Sequence, residues 1–99
     1  MFQFNKQIED GRARYALAGH LDTYAAPALA KDLRDSLAGV RELTLDLEKL
    51  EYISSAGLRV LLGAQKAMDR QGKMKVLHAN DAVMEVFELT GFAAFLDFD

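Results

Sequence analysis

The sequence contains no cysteine, which removes disulfides, thiolate metal sites and cysteine nucleophiles together. It also lacks a basic excess: 12 Lys and Arg stand against 15 Asp and Glu, a formal net charge of −3, so there is no positive field for nucleic acid. No apolar run approaches the ~20 residues that span a bilayer, which speaks against membrane insertion. The first residues, Met-Phe-Gln-Phe-Asn-Lys, lack the long apolar stretch of a signal peptide, so the cytoplasm is the expected location. No linker, repeat or low-complexity tract divides the chain. What remains is 99 residues, 51% hydrophobic and 27% charged, read as one globular domain over 1–99 with a single core.

Phe2, Phe4 and Ile8 open an alternating pattern that Asp10-Gly11 interrupts, and Asp-Gly is a strong hairpin-turn signal. Alternation resumes through Ala18 and places Tyr15 and Leu17 on the buried face, before Gly19 to Thr23 leave the sheet as a loop. Pro27 suits the first turn of a helix carrying Leu29, Leu33 and Leu37, closed by Gly39 as its C-cap. Leu43, Leu45 and Leu47 predict a strand of period two, followed by a loop over Leu50 to Ser55. A second helix is expected from near Ser55 to about Gln71. Its apolar stripe runs through Leu58, Leu61, Leu62, Gln65 and Met68, and Gly63 would permit close packing. Met74 and Val76 mark a last core strand, Asn80-Asp81 cap a third helix ended by Thr90-Gly91, and Phe92 to Phe98 fold back as a short edge strand. The order predicts an α/β fold, a mixed sheet with an N-terminal antiparallel hairpin, parallel crossovers and helices packed against it.

Conventional catalytic signatures are scarce. His20 and His78 match no metal-ligand spacing, no G-x-S-x-G surrounds Ser54 or Ser55, and Gly57 and Gly63 form no phosphate loop, so no catalytic residue, metal site or cofactor is expected. Asp46, Glu48 and Glu51 have the chemistry to chelate a cation, but they read better as a solvated strand end. The most informative stretch is Tyr52 to Leu62, where two hydroxyls, an alanine and a glycine precede an apolar helical pattern. A helix N-terminus carries unpaired N–H groups and about half a positive charge. Hydroxyls there fit either of two roles, a cap or a position where phosphate is added and removed.

These residues resemble a known family. Gly19-His20-Leu21-Asp22, Leu43-Thr44-Leu45-Asp46-Leu47, the stretch from Tyr52 to Leu61 and Gly91-Phe92 with Phe95 are together similar to the STAS domain of bacterial anti-sigma-factor antagonists. The family loop reads Asp-Ser-(Ser, Thr or Ala)-Gly-Leu. Here Ser54 stands at the Asp position, Ser55 at the first hydroxyl and Ala56 at the second. The resemblance implies a regulatory protein rather than an enzyme. Unphosphorylated, it would bind a GHKL-type serine kinase/anti-sigma factor; phosphorylation at Ser55, with Ser54 as second choice, would release it, and a PP2C-type phosphatase would reset it. It also places Asp22 on a partner-binding face. With Thr23 and Tyr24, which a parallel crossover brings to the same sheet edge unless Tyr24 packs on the first helix, and with Ser54, Ser55, Gly57 and Arg59, this is the expected contact surface. A non-phosphorylated STAS subunit of a transporter or other assembly is the alternative reading, and a serine-nucleophile enzyme a distant third.

Overall fold

The computed structural model describes residues 1–98. Strands β1 (Phe2–Glu9) and β2 (Arg12–Leu21) form an antiparallel hairpin. Both turn residues, Asp10 and Gly11, have positive φ (52° and 78°), the geometry whose twist matches the flanking strands. The chain continues through α1 (Ala26–Ser36), β3 (Glu42–Ile53), α2 (Ser55–Asp69), β4 (Lys73–Leu77) and α3 (Asp81–Leu89) to a 3₁₀ turn at Phe92–Phe95. The sheet order is β1-β2-β3-β4; the antiparallel hairpin and the parallel arrangement of β2, β3 and β4 are those the sequence pattern predicts.

Alternation accounts for the core. Tyr15 and Leu17 of β2, Leu43, Leu45 and Leu47 of β3 and Met74 and Val76 of β4 point inward and are buried. The helices supply Leu29, Leu58, Leu61 and Phe87 to the same cluster. The outer face of the sheet is polar, with cross-strand pairs Arg12–Glu42 at 3.0 Å and Arg14–Asp46 at 2.7 Å. One apolar and one solvated face is the usual state of a sheet covered on one side.

The two central strands run further than the pattern predicts. Gly19 to Leu21 stay in β2, and β3 continues through the supposed loop to Ile53. Pairing explains why. Ala16 faces Asp46 and Ala18 faces Lys49, then Gly19 faces Leu50 and His20 faces Tyr52, so β3 carries an extra residue at each of two irregularities. Each bulge breaks the alternation, so the buried positions become Leu43, Leu45, Leu47, Leu50 and Ile53.

Other expectations shift locally. Leu37, not Gly39, caps α1, and α2 ends at Asp69, freeing the Gln71 side chain to donate to Leu37 O and Val40 O, each at 2.6 Å. Ala64 fills the buried stripe of α2 while Leu62 and Gln65 are only half-buried. Gly63 packs against nothing: a Cβ there would meet no atom within 4 Å. The tail contributes a single parallel bridge, Val76 to Phe98, rather than a strand, with Val76 N–H donating to Asp97 O at 2.8 Å.

A polar cluster ties β1 and β2 to α1. The buried Tyr15 hydroxyl donates to Asp32 at 2.5 Å, and Lys6 Nζ lies 3.0 Å from the same carboxylate. Burial, then the bond to Asp32, pushes the Tyr15 hydroxyl up to about 12. Burial pushes Asp32 upward, but hydrogen bonds from Tyr15 and Lys6 outweigh it and hold the carboxyl below its usual value. A raised tyrosine gives stability that is intact below its unfolded value near 10 and lost as pH rises through about 12. A lowered carboxylate gives stability that is present above about pH 4 and lost on acidification below it. Urea midpoints should therefore fall at both extremes, and Tyr15→Phe should flatten the decline between pH 10 and 12.

Candidate functional site

β2 and β3 end side by side, with Leu21 paired to Ile53. Just beyond, the Leu21 carbonyl accepts two bonds from Ser54, one from its N–H at 2.9 Å and one from its hydroxyl at 3.0 Å. The Ser54 oxygen accepts from Gly57 N–H at 3.1 Å, which makes it the N-cap of α2. The side chain thus works as donor and acceptor at once and is only 9% exposed. Gly57 is buried beneath it. A Cβ at Gly57 would stand 2.7 Å from Leu21 Cγ and 2.8 Å from Leu21 O, so only glycine lets α2 start this close to β2. Ser54 and Gly57 therefore act beneath the surface and hold the site's shape. Neither lies open as a contact residue.

Ser55 is different. It is exposed, it is the first residue of α2, and its hydroxyl has no hydrogen-bond partner among the described residues. No acidic residue occupies the first turn of α2, so the positive field of that helix end is uncompensated locally. Arg59, one turn later on the same helix face, is exposed and enters no ion pair among the described residues. The two roles open to the hydroxyls are divided: Ser54 caps, and Ser55 is left free.

Asp22 follows Leu21 and so emerges at the same edge as Ser55. Its carboxylate accepts from Tyr24 N–H at 3.0 Å and Ala25 N–H at 2.9 Å, and its carbonyl from Ala26 N–H at 3.0 Å. The residue assigned as N-cap of α1, Ala25, offers no side-chain bond, so Asp22 supplies the acceptors that start this helix. The turn it holds leaves Thr23 exposed and Tyr24 94% exposed, so Tyr24 does not pack on α1. Two residues that sequence reasoning left out stand on the adjoining strand ends. His20 and Tyr52 face each other across β2 and β3 with rings edge-on at 6.0 Å, and Tyr52 is 49% exposed. Only the bulged register of β3 brings them together.

His78 lies elsewhere, after β4 on the outer face of the sheet. Its Nδ1 is 3.0 Å from Asp46 Oδ1, while Arg14 holds Oδ2 at 2.7 Å. Burial pushes Asp46 upward, but bonds from His78 and the Glu48 N–H, with the Arg14 charge, outweigh it and hold the carboxyl below its ordinary value. Donor atoms of Asp46, Glu48 and His78 lie within 4.8 Å of one another. Both Asp46 oxygens already have protein partners: Arg14 on Oδ2, and His78 and the Glu48 N–H on Oδ1.

Residues 4–97 match the family model described as Mlab, STAS domain. The chain is 40% identical over 85 residues to BtrV of Bordetella bronchiseptica, assigned as an anti-sigma factor antagonist; the match spans 84% of this chain and 73% of BtrV. An anti-sigma factor antagonist from Mycobacterium paratuberculosis has the same fold, with a TM-score of 0.87 at 22% identity over 99% of this chain and 85% of that one. The Bacillus cell fate determinant SpoIIAA in its phosphorylated form matches with a TM-score of 0.76 at 19% identity over 100% of this chain and 91% of that one. No helix among the described residues is long and apolar enough to cross a membrane.

Proposed function

The chain belongs to the STAS family, among the anti-sigma factor antagonists, and on that premise we propose that it is a partner switch controlled by phosphorylation of Ser55. Unphosphorylated, it binds an anti-sigma factor that is also a GHKL-type serine kinase, through a face made by Asp22, Thr23, Tyr24, Ser55 and Arg59. Phosphorylation ends that binding, and a PP2C-type phosphatase restores it.

The observation that carries this reading is the unequal state of the two serines. Ser54 is buried with its hydroxyl committed in both directions, whereas Ser55 is exposed and uncommitted at a helix start. A phosphate at Ser55 adds about −1.5 to −2 charge beside N–H groups and a helix dipole that favour anions, within reach of Arg59. The fold therefore need not rearrange. The partner, in contrast, meets a new dianion beside Asp22, and like charges brought together at an interface cost several kcal/mol. SpoIIAA bears on the same point: its unphosphorylated form, at a TM-score of 0.77, resembles this chain as closely as its phosphorylated form at 0.76.

Incubation with the GHKL-type kinase of the source organism and ATP should add about 80 Da, the mass of one phosphoryl group. Ser55→Ala should abolish the addition and Ser54→Ala should retain it. Loss in Ser54→Ala with retention in Ser55→Ala would reverse the assignment. No addition to the native chain, with binding insensitive to Ser55→Glu, would replace the switch by constitutive docking.

A further inference from the structure

Between α1 and α2 the surface opens into an apolar groove of about 730 Å³. Leu33, Val60, Ala64 and Ala67 line it, Gly63 stands in its wall, and Arg34 and Arg59 flank it. Gly63 has no role in the monomer's packing. A helix-interior glycine is unfavourable relative to alanine, and open space means that alanine would fit without a clash. A bare helix surface facing outward is what a second helix needs for close backbone approach.

The charge at the rim indicates what approaches. Arg34 and Arg59 are exposed and enter no ion pair among the described residues, and Asp35, next to Arg34, is taken by Lys31 at 2.7 Å. The chain as a whole carries −3, so two uncommitted guanidinium groups beside an apolar groove run against its prevailing sign. From Arg59 to Ala67 the groove follows α2 for ~12 Å, a little over two helical turns. We propose that this groove docks an acidic amphipathic helix of the protein partner, apolar face down on Gly63 and Val60, with carboxylates on Arg34 and Arg59. The inference rests on the partner-switch reading only for the partner's being a protein. Because Ser55 lies one turn before Arg59, the groove begins where the proposed phosphorylation site ends.

The test uses the ¹⁵N-labelled chain and a synthetic helical peptide of about 16 residues, with Leu at i, i+3, i+4 and i+7 and Glu on the flanks, beside a version with every Glu replaced by Lys. The Glu peptide should shift amides of α1 and α2 saturably, with Kd below about 1 mM, and the Lys peptide should not. Gly63→Leu and the Arg34→Glu/Arg59→Glu double variant should each weaken binding at least about tenfold while the unfolding midpoint stays level or rises. Equal binding of the Lys peptide, shifts confined to other surfaces, or no saturation would overturn the proposal. So would concentration-dependent shifts at α1 and α2 without peptide, which would make a second copy the occupant. No kinase enters these measurements, so failure of the Ser55 assignment and failure of the groove are separately visible.

Discussion

Gly57→Ala is expected to lower the thermal unfolding midpoint by up to roughly 15 °C, since 1 kcal/mol is worth about 4–8 °C in a domain of this size. The added methyl would stand 2.8 Å from Leu21 O and 2.7 Å from Leu21 Cγ. That carbonyl cannot swing aside, because it is held at 2.9 and 3.0 Å by the Ser54 N–H and hydroxyl. The start of α2 must move instead, which strains or breaks the cap. Overpacking of this kind costs about 1–3 kcal/mol, against which the better helix propensity of alanine returns at most about 1 kcal/mol. Differential scanning calorimetry reads the result. An unchanged midpoint would show that the helix start slides freely, and the rigid support assigned to Ser55 would be lost with it. Phosphorylation of the variant should slow as well, because Ser55 is carried on the displaced turn.

Leu61→Ala is expected to destabilise by about 2–5 kcal/mol, the range for deleting a fully buried leucine and leaving a cavity. Leu61 is 0% exposed and lies on the core side of the helix whose outer surface carries Ser55, Arg59 and Gly63. The comparison with Ser55→Glu gives this its use. Negative charge at a helix start is worth about 0.3–1 kcal/mol in favour of folding, so Ser55→Glu should hold or slightly raise the urea midpoint. One helix then yields a variant that loses stability and another that loses only partner binding. Should Ser55→Glu unfold the domain as Leu61→Ala does, Ser55 would be structural and the switch reading would fail.

Much of the fold is written in local patterns. Asp10-Gly11 announces the hairpin because a two-residue turn needs positive φ, and Pro27 and Asn80 mark helix starts because few residues satisfy the backbone there. Asn80 caps α3 as expected, accepting from Val83 N–H at 2.8 Å; its bond to Leu50 O at 2.9 Å, thirty positions away, is not legible in the sequence. The illegible parts depend on partners distant in sequence. Nothing near Ser54 reveals that its hydroxyl will meet the carbonyl of Leu21, thirty-three positions earlier. The division of labour between two adjacent serines was therefore not visible. His78 reaches Asp46 only after two strands pair, and the spare surface around Gly63 is a property of what fails to arrive there. The end of β3 is illegible for a different reason. Period-two reading presumes regular pairing, and the residues between Leu47 and Ile53 look like loop because two bulges place polar side chains in adjacent positions.

Those bulges also govern how the chain tolerates changes of length. A surface loop absorbs a deletion by shortening, and in the sequence the segment from Leu50 to Ser55 looks like such a loop, following a solvated strand end. In the folded chain it is a counted stretch of strand. A deletion at a bulge would remove only the extra residue and leave the later pairs in place. A deletion in a regular part of β3 would instead turn Leu50 or Ile53 from the core toward water and pull Ser54 about 3.3 Å, one strand step, out of line with Leu21. Length variation among related chains should therefore collect in the α1–β3 connection, the hairpin turn and the two bulges, while the regular stretches of β3 stay fixed to the residue.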